Sequence, residues 1–178
     1  MKKFLPVASL LALTCAASTA QAEAVEIYLI DMLDNTQAGY CLDIAKGREE
    51  AANPDDGLQG HTCYSPGGAL GYDQTFETEK FAQGLLYMTN FDVCATLDAA
   101  VAGSALSLAS CDGRAAQNFT FAGAGTIVPA AATQMCVTVG ADTRSGRSDT
   151  NQIKVLTIEP CSDDLAAYQT WGVRTVSQ

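Results

Sequence analysis

The sequence predicts an all-β fold in which one four-stranded unit is used three times. Two observations carry that expectation. Cysteines recur in pairs, and a glutamine two residues before an aromatic follows each pair. Cys41 and Cys63 precede Gln74-Thr75-Phe76, Cys94 and Cys111 precede Gln117-Asn118-Phe119, and Cys136 and Cys161 precede Gln169-Thr170-Trp171. The glutamines stand 43 residues apart (74 to 117) and then 52 (117 to 169), a period at which one structural unit repeats. The second observation is a series of short strand-like runs between turns, with little helical signal.

Residues 1 to 22 read as a secretory signal peptide. Lys2 and Lys3 give a basic start, an apolar run extends from Phe4 to Ala17, and Ala20-Gln21-Ala22 is a small-x-small site that places cleavage before Glu23. The rival reading is a lipid anchor at Cys15, but Ala12-Leu13-Thr14 matches poorly the residues that precede a lipidated cysteine. The remaining 156 residues (178 less 22) suit one domain, and no Gly/Ser-rich or Pro-rich linker divides them. No later stretch has the roughly 20 apolar residues of a membrane-spanning helix.

Within 23–178 the units run from about 23 to 80, 81 to 122 and 123 to 178. Val25 to Ile30, Leu85 to Met88, Ala105 to Leu108, Phe119 to Phe121, Met135 to Val139 and Ile153 to Ile158 are the strand candidates. Asn53-Pro54-Asp55-Asp56-Gly57, Pro66-Gly67-Gly68, Asp112-Gly113, Gly123-Ala124-Gly125 and Ser145-Gly146 are the turns between them. Each unit opens with an apolar strand. A strand carrying the first cysteine follows, then a strand ending at the second, then a strand beginning at the Gln-x-aromatic. One such unit cannot bury its apolar face, whereas three packed about an axis can.

Without Lys2 and Lys3, 8 basic residues face 20 acidic ones, a net charge of −12. Such a field repels phosphate backbones and anionic lipid surfaces, which argues against a nucleic-acid partner. Six cysteines remain, an even number in a chain expected to be exported, which points to disulfides. Six allow 15 pairings, so connectivity stays open; the symmetric solution is Cys41–Cys63, Cys94–Cys111 and Cys136–Cys161. Each bridge would close a loop of roughly 20 residues, worth about 3 kcal/mol on the chain-entropy model. No Cys-x-x-Cys is present and His61 is the single histidine, so no structural metal is expected. Asp55, Asp56, Asp163 and Asp164 lack calcium-loop spacing and read as turn residues. No cofactor is implied.

The tripled motif resembles the ricin B-type lectin family, whose mark is a Gln-x-Trp in each of three repeats of a β-trefoil. Cys41-Leu42-Asp43-Ile44 and the run from Asp56 to Cys63 resemble the family's first-cysteine and second-cysteine strands. Phe76 and Phe119 stand where the family has tryptophan. The aromatic of each motif suits the core, and Gln74, Gln117 and Gln169 suit structural roles, their amides bonded within their own repeats.

The resemblance implies carbohydrate binding. In the family a carboxylate lies two residues after the first cysteine, a ring two before the second, and an amide or acid immediately before the motif glutamine. The first repeat places Asp43, His61 and Asp73 there, with Tyr64 or Tyr72 as a further ring. The second has Thr96, Ala109 and Ala116, and the third Thr138, Glu159 and Tyr168; both are expected not to bind. Catalysis finds no support, since no Gly-x-Ser-x-Gly surrounds a serine and the cysteines are accounted for. The sequence thus predicts a secreted or periplasmic lectin-like protein with at most one sugar site, in the first repeat. The alternative is a protein-interaction module, like toxin subunits or trefoil inhibitors, that has lost that site.

Overall fold

The computed structural model describes residues 23–175. The expected leader and Cys15 lie outside the described residues. The described residues form fifteen short strands. The first repeat has β1 (Ala24–Leu29), β2 (Tyr40–Ile44), β3 (Leu58–Thr62) and β4 (Phe76–Glu77). The second has β5 (Tyr87–Met88), β6 (Val93–Leu97), β7 (Leu106–Ala109) and β8 (Phe119–Thr120). The third has β9 (Ala124–Gly125), β10 (Val128–Pro129), β11 (Met135–Val139), β12 (Arg144–Ser145), β13 (Gln152–Lys154), β14 (Leu156–Pro160) and β15 (Trp171–Arg174). The one α-helix among the described residues is a single turn, Ala166–Gln169.

Each repeat is built on one antiparallel hairpin, β2–β3, β6–β7 and β11–β14. The registers are equivalent. Cys41 faces His61, Cys94 faces Ala109, and Cys136 faces Glu159, so the first cysteine always opposes the residue two before the second. Disulfides join Cys41 to Cys63, Cys94 to Cys111 and Cys136 to Cys161, with Cα separations of 5.0, 5.1 and 5.0 Å. Each ties the first strand of its hairpin to the residues leaving the second.

The final strand of each repeat begins at the motif aromatic, not at the glutamine as expected. Gln74 and Gln117 end short 3₁₀ turns, and Gln169 ends the α-turn. The turn folds the amide back into its own repeat and releases the aromatic into the core. Phe76 faces Val25, Phe119 faces Pro129, and Trp171 faces Leu29 across their ladders. All three are at most 2% exposed and share a core with Leu42, Leu97, Val137 and their neighbours. The chain closes on itself through β1 and β15, paired over four residues. Arg174 bonds the buried carboxylate of Glu26 across that seam and lies 4.4 Å over the Tyr28 ring.

One expected strand is two. The run from Ile153 to Ile158 breaks at Val155, which is exposed, because its halves take different partners. β14 pairs with β11 of its own repeat, while β13 leaves to pair with β3 of the first repeat, Ile153 opposite His61. Gly60, opposite Lys154 in this ladder, leaves room for Val139 of β11, since a Cβ there would stand 2.9 Å from Val139 Cγ1. With β12, β13 forms a hairpin that extends the sheet of the first repeat. Lys154 anchors it: the buried ammonium donates to Ala141 O at 2.8 Å and Thr143 Oγ1 at 2.7 Å and lies 3.3 Å from Asp34. Burial works against ionisation of Asp34, but hydrogen bonds from Thr143, Tyr40 and Lys154 outweigh it and bring its pKa down to about 2.

Trp171 differs from its counterparts in one polar contact, its indole N–H donating to Val137 O at 2.9 Å. Trp171→Phe should cost about 1–2 kcal/mol, one buried hydrogen bond and some packing. Trp171→Ala should cost about 3–5 kcal/mol. Chemical denaturation of the two variants checks the separation.

Candidate functional site

The glutamine of each motif makes the same three hydrogen bonds. Its carbonyl accepts from the backbone N–H just after the second cysteine: Tyr64 at 3.2 Å, Asp112 at 3.0 Å, Ser162 at 3.1 Å. Its amide donates to the carbonyl just before that cysteine: Thr62 at 3.1 Å, Ser110 at 2.9 Å, Pro160 at 3.0 Å. The amide's second bond goes to the side chain two residues after the first cysteine. In the second and third repeats that is a hydroxyl, Thr96 at 3.2 Å and Thr138 at 2.9 Å. In the first repeat it is a carboxylate, Asp43 at 2.9 Å.

Around Asp43 the first repeat gathers a polar cluster that the others lack. Gln59 on β3 donates to Asp43 Oδ1 at 2.8 Å while Gln74 holds Oδ2. The His61 imidazole stands 3.8 Å from the same carboxylate, its Nδ1–H donating to Thr62 O at 3.0 Å. The Tyr64 ring lies 5.7 Å from the imidazole. Asp73 is buried near enough for its charge to act on Asp43.

Of the residues expected to contact a sugar, Asp43, Asp73 and His61 are buried, at 2%, 0% and 6% exposed, and Tyr64 is partly exposed. The segment between β2 and β3 folds across both. Glu49 N–H donates to Asp73 Oδ2 at 2.8 Å, and Glu49 Oε2 accepts from Tyr72 N–H at 2.7 Å. Gly47 lets this segment pack down: a Cβ there would stand 2.2 Å from Ala52 Cα. Asp73 Oδ1 is buried with no hydrogen-bond partner. Tyr72 does not join the cluster. It packs edge-on to Phe91 at 5.4 Å and faces a separate, open cavity with Glu49 and Asn90.

What remains accessible is a cavity of about 180 Å³ beside the covered carboxylates, with Gln59, His61 and Tyr64 on one side and Arg144, Arg147 and Asn151 on the other. The second wall is the β12–β13 hairpin of the third repeat. Sequence reasoning confined to one repeat missed it. The available signal was the longer third repeat, 52 residues between glutamines against 43, and the longest cysteine spacing, 25 against 22 and 17.

The ionisation of the cluster follows its burial. Desolvation pushes the Asp43 carboxyl well above the usual range, and the charges of Asp73 and Glu49 add to this. Asp73 is raised too, first by burial and then by Glu49. His61 is lowered, by burial and by Arg144, so the neutral imidazole is favoured.

The family model of the ricin-type beta-trefoil lectin domain matches residues 82–178. The chain belongs to that family. The match takes in the second and third repeats of this lectin-type trefoil; the first repeat, with its Asp43 cluster, lies ahead of it. Among solved structures the trefoil is similar to the designed threefold-symmetric protein ThreeFoil, at 14% identity and TM-score 0.57, covering 87% of this chain and 99% of that one. It is also similar to the earthworm lectin C-terminal domain, as a mutant in complex with 6'-sialyllactose, at 16% identity and TM-score 0.53, covering 85% and 97%. A third likeness is to the agglutinin of Abrus precatorius, at 17% identity and TM-score 0.54, covering 85% of this chain and 46% of that one. These likenesses speak to the fold. No curated protein matches.

The raised carboxyls make a pH prediction. A carboxyl raised on folding stabilises fully below its ordinary pKa, 3.8 for aspartate, and loses that contribution as pH rises through the folded value. Asp73→Asn should therefore raise the melting temperature at pH 7, with a gain that shrinks toward pH 4. Thermal melts of both proteins across that range check the sign.

Proposed function

We propose that this trefoil binds carbohydrate through its first repeat, in the cavity lined by His61, Tyr64, Gln59 and the β12–β13 hairpin. The observation that carries the reading is the carboxylate at position 43. Threonine serves the glutamine at the two equivalent positions, Thr96 and Thr138, so the fold needs a hydroxyl there and no more. A buried carboxylate costs more than a hydroxyl to desolvate. Its presence in one repeat is accounted for by what it positions, Gln59 and His61 at the cavity floor. Tyr64, partly exposed, offers its ring to the C–H side of a pyranose with the edge of the buried His61 beside it, and Asn151 offers an amide to its hydroxyls. Gln59, buried and bonded to Asp43 and Arg144, sets the floor. Asp43 and Asp73 act from beneath, as positioning residues.

Lectins of similar fold support the class of ligand, the earthworm domain in complex with 6'-sialyllactose among them. Three disulfides and the lectin family fit an extracellular protein, and we infer that the segment before Glu23 serves export to the periplasm or beyond. No helix of the described residues is long and apolar enough to cross a membrane. The rival, a protein-binding module, finds less in the structure. The exposed large apolar side chains of the described residues fall in three separate segments of the chain, Ile30 with Met32, Val101, and Val155.

A glycan array followed by calorimetry tests the reading. Asp43→Thr, which copies the other two repeats, should melt within about 4 °C of the parent, a change of order 1 kcal/mol, and lose glycan binding. His61→Ala and Tyr64→Ala should each weaken binding about tenfold or more, about 1.4 kcal/mol, while Thr138→Ser leaves it unchanged. Absence of binding to any glycan at millimolar concentration, or full binding by Asp43→Thr, would count against the proposal.

A further inference from the structure

The cavity of the first repeat is walled by Lys46, Arg48, Arg144 and Arg147, and no aspartate or glutamate is among its lining residues. After residue 22 the chain carries eight Lys and Arg, the 10 of the sequence less Lys2 and Lys3, against 20 Asp and Glu. Half of its cations therefore surround one small cavity on a strongly acidic protein.

Internal pairing does not account for them. Among the described residues, ion pairs within 4.0 Å involve Lys46, His61, Arg114, Lys154 and Arg174, and not Arg48, Arg144 or Arg147. Arg144 donates instead to the neutral Gln59 Oε1 at 3.2 Å, which aims it across the cavity floor. Lys46 alone has a carboxylate, Asp56 at 2.7 Å, in a largely exposed pair of the kind that contributes little. Clustered cations repel one another, and the Asp43 and Asp73 carboxylates of the adjoining polar cluster are buried. An anion entering the cavity relieves that repulsion. Guanidinium groups suit it in particular, since their planar forks match the paired oxygens of carboxylate or sulfate.

Resting on the lectin reading above, we propose that the saccharide taken by this cavity is acidic, its carboxylate or sulfate held by Arg48, Arg144 and Arg147 and its ring against His61 and Tyr64. A cavity of about 180 Å³ is smaller than the usual ligand pocket of about 300–1,000 Å³. It therefore takes one charged sugar unit, with the rest of any oligosaccharide outside.

Matched pairs of ligands test this. A glycan array with acidic and neutral members comes first. Calorimetry follows, with an oligogalacturonate against its carboxyl-reduced form and a sulfated galactan oligosaccharide against its desulfated form. The acidic member of at least one pair should bind about tenfold or more tighter. That preference should shrink between about 50 mM and about 500 mM salt, where screening shortens from beyond 10 Å to a few Å. R144Q/R147Q should abolish it. Arg114→Gln, which alters a cation paired with Asp112 on the second repeat, should keep it. Equal binding within both pairs overturns the acidic assignment and leaves the lectin reading standing. No binding by any saccharide overturns both. Displacement by equimolar inorganic sulfate, or tighter binding of a single-stranded oligonucleotide, overturns the saccharide as the anion's carrier.

Discussion

Three glutamine side chains, each fully or almost fully buried, hold the fold in register. Each joins the strand of the first cysteine to the chain on both sides of the second through the same acceptor bond and pair of donor bonds. Strands of two to six residues cannot specify their own pairing, and a slip of one residue would turn every core side chain outward. The disulfide fixes distance but leaves the neighbouring peptides unpaired; the glutamine amide satisfies them. The same turn that presents the amide delivers Phe76, Phe119 or Trp171 to the core two residues later. Core packing and polar satisfaction thus depend on one local geometry, repeated three times.

The structural half of this arrangement is legible in the sequence because it is tripled. Cys-Cys-Gln-aromatic spacing needs no knowledge of distant contacts, since every partner of a motif glutamine lies within its own repeat. The start of each final strand is misread by two residues for a related reason. Strand propensity registers the apolar run but not the turn that folds Gln74, Gln117 and Gln169 backward. The run from Ile153 to Ile158 is misread because nothing local says that Ile153 belongs to the first repeat and Ile158 to the third.

The site is legible only in part, for a complementary reason. Asp43, His61, Asp73 and Tyr64 are gathered as their positions imply, yet exposure is not a local property. Loop residues Gly47 to Glu50 decide it, through a bond from the Glu49 amide to Asp73 that no motif announces. The opposite wall, Arg144 to Asn151, arrives from a different repeat on a hairpin anchored by Lys154. A chain read repeat by repeat has no means of adding a strand from the third unit to the sheet of the first.

Net charge misleads in the same way. An excess of twelve acidic groups predicts repulsion of anions, and far from the surface that holds. At physiological ionic strength the field of a distant charge fades over about 8 Å, so an approaching ligand answers to the groups beside it. In the cavity these are Lys46, Arg48, Arg144 and Arg147, with the underlying carboxyls buried and raised toward their neutral forms. Burial of Asp43 and Asp73 therefore does two things at once. It fixes the amides and the imidazole at the floor, and it withdraws from the cavity the negative charge that would otherwise cancel the guanidinium groups. On the acidic-saccharide proposal, an acidic surface with this cationic recess would keep most anions away from the protein while favouring one of the right shape in the recess.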